Sequence, residues 1–328
     1  MVTRLKRFTL KNPLFIACWP GMGEVAIRTG LFLKDMLPFQ PFAEIRDSGF
    51  FMPQGIVSQN GIVNFPEVNE GTFYCYKDPA KKRDIVLFLA EAQPPMERAY
   101  EFACRLMDFV VTLKAQMIMT FASLPQPIEY NKDPKVWGVS TDEPLREEMK
   151  EYGVEVMQEG HISGLNGILT GVAAEMDVHG LCLLAEIPFY TIQIENPKAT
   201  AAILQILEKY LGMQFDLEPL REKAEQLGEE IVRLISYIRG EGEGDGEGDE
   251  EDEEMPLSDV DIQRMKSELS RFPTLPQSVS RRIEELFGKA RQEISYAHEL
   301  KQLLDHWNVY KEYEDRFLDL FKDKRLDH

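Results

Sequence analysis

The sequence predicts a layered α/β fold: a mixed sheet covered by helices on both faces, then an acidic spacer and a helical C-terminal module. Three observations carry this. From the start to about Gly212, apolar runs of strand length alternate with segments of helical period. Four of those runs are apolar at successive positions, as strands buried on both faces require. Residues 240 to 254, GEGEGDGEGDEEDEE, then break the pattern with ten acids and five glycines before helical signals resume.

The four runs are LFIACW (14 to 19), DIVLFLA (84 to 90), QMIMTFA (116 to 122) and LCLLAEI (181 to 187). Between Gly55 and Phe65, Asn60-Gly61 separates two β-branched runs, a strong hairpin signal, and this hairpin is what makes the sheet mixed in the prediction. Pro94 and Pro95 introduce a helix whose buried stripe is Met96, Ala99, Ala103, Leu106, Val110 and Leu113. STDEP at 140 to 144 starts a shorter helix, capped by Ser140 or Thr141 and closed at Gly153. Residues 197 to 212 repeat the design with Pro at the first turn and Gly at the end, and a further helix runs from about Glu218 to Tyr237.

The chain of 328 residues is 44% apolar and has a formal net charge of −19, more than half of it in the fifteen residues of the spacer. Ten carboxylates among glycines repel one another and bury nothing, so a disordered linker over 240–255 is expected between an α/β domain, 1–239, and a helical module, 256–328. In the module, Ser258 and Asp261 resemble a capping box. Ile283, Leu286, Ala290, Ile294, Ala297, Leu300, Leu303, Trp307 and Tyr310 form a stripe at near-heptad spacing. A region this short makes a small core, so the stripe is expected to dock on the main domain or on another subunit.

The acidic balance argues against nucleic-acid or anionic-membrane partners, which need clustered Lys and Arg. No segment is long enough to span a bilayer, and Lys11 and Asn12 interrupt any signal-peptide pattern. Cys18, Cys75, Cys104 and Cys182 lack metal-ligand spacing and read as buried free thiols of a reducing compartment, placing the protein in the cytoplasm. The five histidines form no cluster, so neither a metal nor a cofactor is expected.

Chemistry concentrates at two turns. In FIACWPGMGEVAIRTGLFL, Gly21 and Gly23 stand between a buried strand and a helix that begins near Glu24. The pair serves either as an anion cradle of backbone amides or as a tight turn. A dinucleotide fingerprint would want glycine at Ala26 and an acid at the end of a following strand, and Glu24 already places an acid at the helix dipole. In EGHISGLNGILTGVAAE, Ser163, Gly164 and Gly167 precede a second helix, again as an anion site or as glycines that permit close packing. HISGL is not a nucleophile elbow, and His161 reads as a partly buried neutral residue. If the turns form a strand-end pocket, the amides of Gly21, Gly23, Gly164 and Gly167 would hold an anion, Arg28 would supply charge, and Glu91 and Glu186 would act as acid or base. A solvated carboxylate is the plainer role for both glutamates.

WPGMGEVA (19 to 26), LAEAQPP (89 to 95), GHISGLNGILTGVA (160 to 173) and LLAEIPFY (183 to 190), in this order and spacing, resemble the proteasome-assembly-chaperone family. The resemblance spans roughly 12 to 235. It implies an α/β/α sandwich related to the nucleoside-phosphorylase fold, assembled into dimers or higher homo-oligomers that work through protein partners. Some relatives end in a hydrophobic-Tyr-any-residue motif that enters pockets of the proteasome α-ring; here Leu326-Asp327-His328 stand in its place. The acidic linker and helical tail resemble the uncharacterised bacterial branch. The expectation is therefore a non-catalytic oligomeric assembly-chaperone-like protein, a trimer, with an enzyme or anionic, nucleoside-like ligand binder as the alternative.

Overall fold

The computed structural model describes residues 2–46, 49–51, 56–64, 70–80, 83–239, 277–292, 296–306 and 310–322. The chain divides into two compact units. The first comprises residues up to Leu124 with Asp133–Ile187 and Gln193–Glu225; the second comprises Pro125–Lys132, Pro188–Ile192 and the chain from Gln226.

The first unit is built on a nine-stranded sheet in the order β1-β3-β6-β7-β2-β8-β11-β9-β10. Strand β2 (Leu14–Cys18) is buried at every residue and runs parallel to β7 (Ile85–Leu89) on one side and β8 (Met117–Gln126) on the other. Its unbroken apolar run follows from that position, because both of its faces lie under helices. Beyond β7, the strands β6 (Gly71–Tyr76), β3 (Gln40–Ile45) and β1 (Val2–Arg4) add in antiparallel steps. Beyond β8 come β11 (His179–Pro188), β9 (Val136–Ser140) antiparallel to it, and the short β10 (Glu155–Val156).

The side chains of β2 alternate between two helical layers. Phe15, Ala17 and Trp19 join a core with Phe102, Ala103 and Leu106 of α2 (Met96–Thr112) and Leu165 and Leu169 of α4 (Gly164–Glu175). On the opposite face α1 (Val25–Met36) packs on β2 and β7 and against α5 (Pro197–Leu211). The approach is close: a Cβ on Gly30 of α1 would stand 2.8 Å from Cys18 Sγ. The result is an α/β/α sandwich with a mixed sheet, as the sequence predicts. Phe73 anchors the core, its ring centroid 4.6 Å from that of Phe88 and 4.8 Å from that of Phe109, while Trp19 lies 5.5 Å from Phe88.

Three expectations are corrected. The Asn60-Gly61 hairpin forms, as β4 (Val57–Gln59) and β5 (Ile62–Asn64), but as a separate two-stranded ribbon. The main sheet is mixed because β1, β3, β6 and β9 run antiparallel to neighbours, and the short, half-polar patterns of those strands gave little periodic signal. The cap of α3 (Glu143–Glu151) is Asp142, whose Oδ1 accepts from Leu145 N at 3.0 Å; Ser140 and Thr141 bond to Asp142 instead. Cys104 is only half-buried, whereas Cys18, Cys75 and Cys182 are buried. Burial raises their thiols, Cys75 and Cys182 to about 11 and Cys18 further, so these three stay protonated.

In the second unit the tail stripe is not one helix. It breaks into α7 (Gln277–Gln292), α8 (Tyr296–His306) and α9 (Tyr310–Lys322), after α6 (Glu218–Arg239) has crossed from the first unit. Ile283, Leu286, Phe287, Ala290, Ala297, Leu300, Leu304, Phe317 and Leu320 bury one another, with Phe189, Leu303 and Tyr310 packed against them. Much of the stripe is thus covered by its own module. Ile294, Trp307, Ser258, Asp261, the spacer 240–255 and the terminal Leu326-Asp327-His328 lie outside the described residues. No helix among the described residues is long and apolar enough to cross a membrane.

Candidate functional site

The first turn is a joint rather than a loop. After β2, Gly21 is extended, Met22–Glu24 form a single 3-10 turn, and Gly23 and Glu24 both take left-handed backbone, with φ of +62° and +51°. All four carbonyls from Pro20 to Gly23 accept internal hydrogen bonds. Gln93 Nε2 donates to Pro20 O at 2.6 Å, Glu24 N to Gly21 O at 3.0 Å, Ser123 Oγ to Met22 O at 2.5 Å, and Asn196 N to Gly23 O at 2.9 Å. Gln93 and Asn196 come from the chain after β7 and β11 and Ser123 from within β8, so one turn ties together three of the central strands. Gly23 is buried, and a Cβ there would meet Ile187 Cδ1 at 3.2 Å and Asn196 Cβ at 3.4 Å. Ala26, the position of the missing third glycine, is buried in α1.

The second turn meets the first through Gln93. The same amide that donates to Pro20 accepts from Leu165 N at 3.2 Å with its Oε1, which occupies a first-turn amide of α4. Gly164 has φ of +80°, and a Cβ on Gly167 would lie 2.5 Å from Ile162 O, so this glycine permits the backbone to fold back on itself. Ser163 stands at the N-cap position without a side-chain cap bond. His161 is exposed, not partly buried as expected.

Charge at the first turn is compensated locally. Arg28 Nη2 lies 2.7 Å from Glu24 Oε2 and 3.0 Å from Glu195 Oε2, and Glu195 pairs in turn with Lys223 at 2.8 Å. Glu24 therefore serves Arg28 and not the helix amides, and Arg28 is held between two carboxylates. The Glu186 carboxylate is used elsewhere, accepting from Trp137 Nε1 at 2.9 Å and Lys135 N at 3.1 Å and so fastening β11 to the strand beside it. Glu91 is exposed and makes no hydrogen bond or ion pair among the described residues.

Of the nine candidates, Gln93 links the turn of Gly21 and Gly23 to that of Ser163 and Gly164, Glu24 and Arg28 pair with each other, Gly167 is a packing position, and Glu91 and Glu186 lie apart from these contacts. Sequence reasoning passed over Gln93, Ser123, Asn196 and Glu195. Asn196-Pro197 carried a signal, an N-cap residue before a proline, and Asn196 Oδ1 does cap α5 by accepting from Ala199 N at 3.0 Å. Two further polar atoms, Trp19 Nε1 and Asn166 Oδ1, belong to residues next to the two turns in sequence and are buried without a hydrogen-bond partner among the described residues. A surface depression lined by Glu208, Lys209, Met213, Gln214 and Phe215 contains none of the candidates.

Another polar cluster lies at Thr141, Asp142 and His179, where His179 Nδ1 is 2.7 Å from Asp142 Oδ2. Burial alone would raise the Asp142 carboxyl, but hydrogen bonds from His179, Leu145 N and Thr141 outweigh it and hold the group below its ordinary value. The carboxylate so stabilised in its charged form caps α3. No group of three or more His, Cys, Asp or Glu among the described residues could hold a metal ion.

A sequence model of the PAC2 family matches residues 15–235. An uncharacterised protein of Methanocaldococcus jannaschii is 25% identical over 226 residues, covering 69% of this chain and 84% of that one. Among solved structures, PbaB of Pyrococcus furiosus, described as an archaeal proteasome activator, superposes with a TM-score of 0.62 at 27% identity over 72% of this chain and 98% of its own. PbaA of the same organism, described as an archaeal homologue of proteasome-assembly chaperone, matches in fold with a TM-score of 0.56 at 24% identity, over 73% of this chain and 94% of that one.

Proposed function

The chain belongs to the PAC2 family, and from that membership we propose that it is a non-catalytic, homo-oligomeric binding protein that acts on proteasome core subunits or their assembly intermediates. The observation that carries this reading is the likeness to the P. furiosus proteasome activator, which takes in 98% of that chain. The glycine turns support it. The carbonyls of the first turn, one α4 amide and Arg28 are engaged by the protein itself, as a structural joint requires.

The test is co-purification of the full chain with proteasome α- and β-subunits from its own source, mixed before and after ring assembly. Retention of subunits, and a changed rate of ring formation, is the expected result. A chain that neither binds any subunit nor alters assembly would sink the proposal. The ligand-binding alternative has one observation in its favour: Trp19 Nε1 and Asn166 Oδ1, on residues adjoining the two turns in sequence, are buried without partners among the described residues, and such groups are completed by a water or a ligand. A nucleoside or phosphate that fits there should stabilise the fold by about 2.7 kcal/mol at a hundred times its Kd, read as a thermal shift.

A further inference from the structure

We propose that the ribbon of β4 and β5 is a surface on which a second copy of this chain docks, edge to edge about a two-fold axis. The proposal rests on the homo-oligomeric part of the reading above and names its contact.

Every strand residue of this ribbon whose exposure the structure describes lies in water. Its apolar side chains are the most open of their kind among the described strand residues: Ile62 is 66% exposed, Val63 59% and Val57 41%, with Ile56 just before them at 59%. The register pairs Val57 with Asn64, Ser58 with Val63 and Gln59 with Ile62, so Val57 and Ile62 share one face and Val63 takes the other. Neither face is apolar enough, and neither strand long enough, to hold an isolated hairpin together in water. The turn is nevertheless preformed. Asn60 and Gly61 have φ of +52° and +79°, the left-handed pair that a two-residue hairpin turn demands.

Among the described residues each strand pairs only with the other, which leaves two outer edges with unpaired backbone donors and acceptors. An antiparallel edge is complementary to its own two-fold image, so the same edge of a second copy satisfies it without a new sequence. Charge favours this occupant. Ile56 to Asn64 contains no acid or base in a chain of net charge −19, so this is a place where two like-charged copies can approach without bringing carboxylates together. The usual guards of a solvent edge, a lysine or a proline on the strand, are absent from both strands. Two three-residue strands bury less than the roughly 1,200 Å² of a stable interface, so an assembly held by the ribbon alone loosens on dilution. Two-fold pairing also calls for an even number of copies, in place of the trimer suggested by the sequence.

Light scattering on the full chain across a dilution series tests this. The expected mass is an even multiple of 37.8 kDa when concentrated, falling toward 37.8 kDa on dilution. The double variant Ile62→Lys/Val63→Lys, at exposed positions, should stay at 37.8 kDa throughout with unchanged circular dichroism and melting. In the wild-type protein, amide exchange over 57–64 should slow on association, a readout that does not depend on the variant folding. A double variant with the wild-type mass, or amides that exchange equally fast in both states, overturns the ribbon as the contact. A wild-type chain that is monomeric at every concentration overturns the homo-oligomer as well, while proteasome binding stands or falls by its own co-purification. Protection that appears only when proteasome subunits are added identifies a different occupant and also overturns the proposal.

Discussion

Gly23 and Gly61 do the same thing with their backbones and stand in opposite surroundings. Both hold left-handed φ, +62° and +79°, in short turns next to a strand. Around Gly23, a Cβ would press on Ile187, Asn196 and Val25 within 3.5 Å; around Gly61 there is nothing within 4 Å. The first turn is a joint whose carbonyls accept from Gln93 and Asn196 in two other loops and from Ser123 in β8, and the second is the tip of a ribbon in water. A glycine-marked turn thus says where the chain bends. Only its neighbours say whether the bend carries the fold.

The largest effect expected from this contrast is at the buried turn. Gly23→Val combines left-handed strain of about 1–3 kcal/mol with overpacking of about 1–3 kcal/mol. A loss of about 3 kcal/mol or more in denaturant unfolding is the expected outcome. If the loss stays under about 1 kcal/mol, the joint yields easily and the importance given to its packing is misplaced.

Next comes Gln93→Ala. Its side-chain amide is the sole direct bridge described between the two glycine turns, accepting from Leu165 N and donating to Pro20 O. Removing it leaves two backbone groups without their partner in a half-buried place, at about 1–2 kcal/mol after water recovers part of the loss. Faster amide exchange at Leu165 should accompany it. Unchanged exchange there would mean that the clamp is dispensable.

Much of this architecture can be read from the residues, and the remainder shows where reading stops. Strands β2, β7, β8 and β11 announce themselves because central strands must be apolar at every position. The outer strands escape because partial burial leaves patterns as mixed as QPFAEI and GTFYCY. Helix ends at Pro95, Pro197 and Gly212 are local chemistry and so are legible. Of the site, the glycines are visible as bends, but the donors that fix them are not, since Gln93, Ser123 and Asn196 are distant in sequence and ordinary in type. Glu186 shows the converse: its place near a strand end invites a catalytic role that Trp137 and Lys135, some fifty positions earlier, take away.

At the exposed turn the expected effect is smaller. Gly61→Ala meets no neighbour and loses only the ease of a left-handed residue, about 1 kcal/mol of local stability. Because the ribbon stands apart from the main sheet, most of that cost should appear as faster amide exchange over 57–64 and little in global unfolding. A global loss as large as that of Gly23→Val would show that the ribbon is part of the core after all.

Arg28→Ala should do least. The guanidinium holds Glu24 at 2.7 Å and Glu195 at 3.0 Å, but 40% of its side chain is in water, and exposed ion pairs contribute about 0.2–1 kcal/mol. A change near 0.5 kcal/mol, shrinking further in high salt, is expected because solvent and counterions replace what the side chain supplied. Glu195 retains Lys223, so the substitution strands no buried charge. The same variant separates the two functional readings. If the turn is a joint, Arg28→Ala leaves proteasome-subunit binding intact and phosphate stabilises neither form. If the turn is an anion site, phosphate raises the melting temperature of the wild-type chain and this rise disappears with Arg28. The second pattern would move the function of this turn from holding strand ends together through its carbonyls to holding a ligand on its backbone amides.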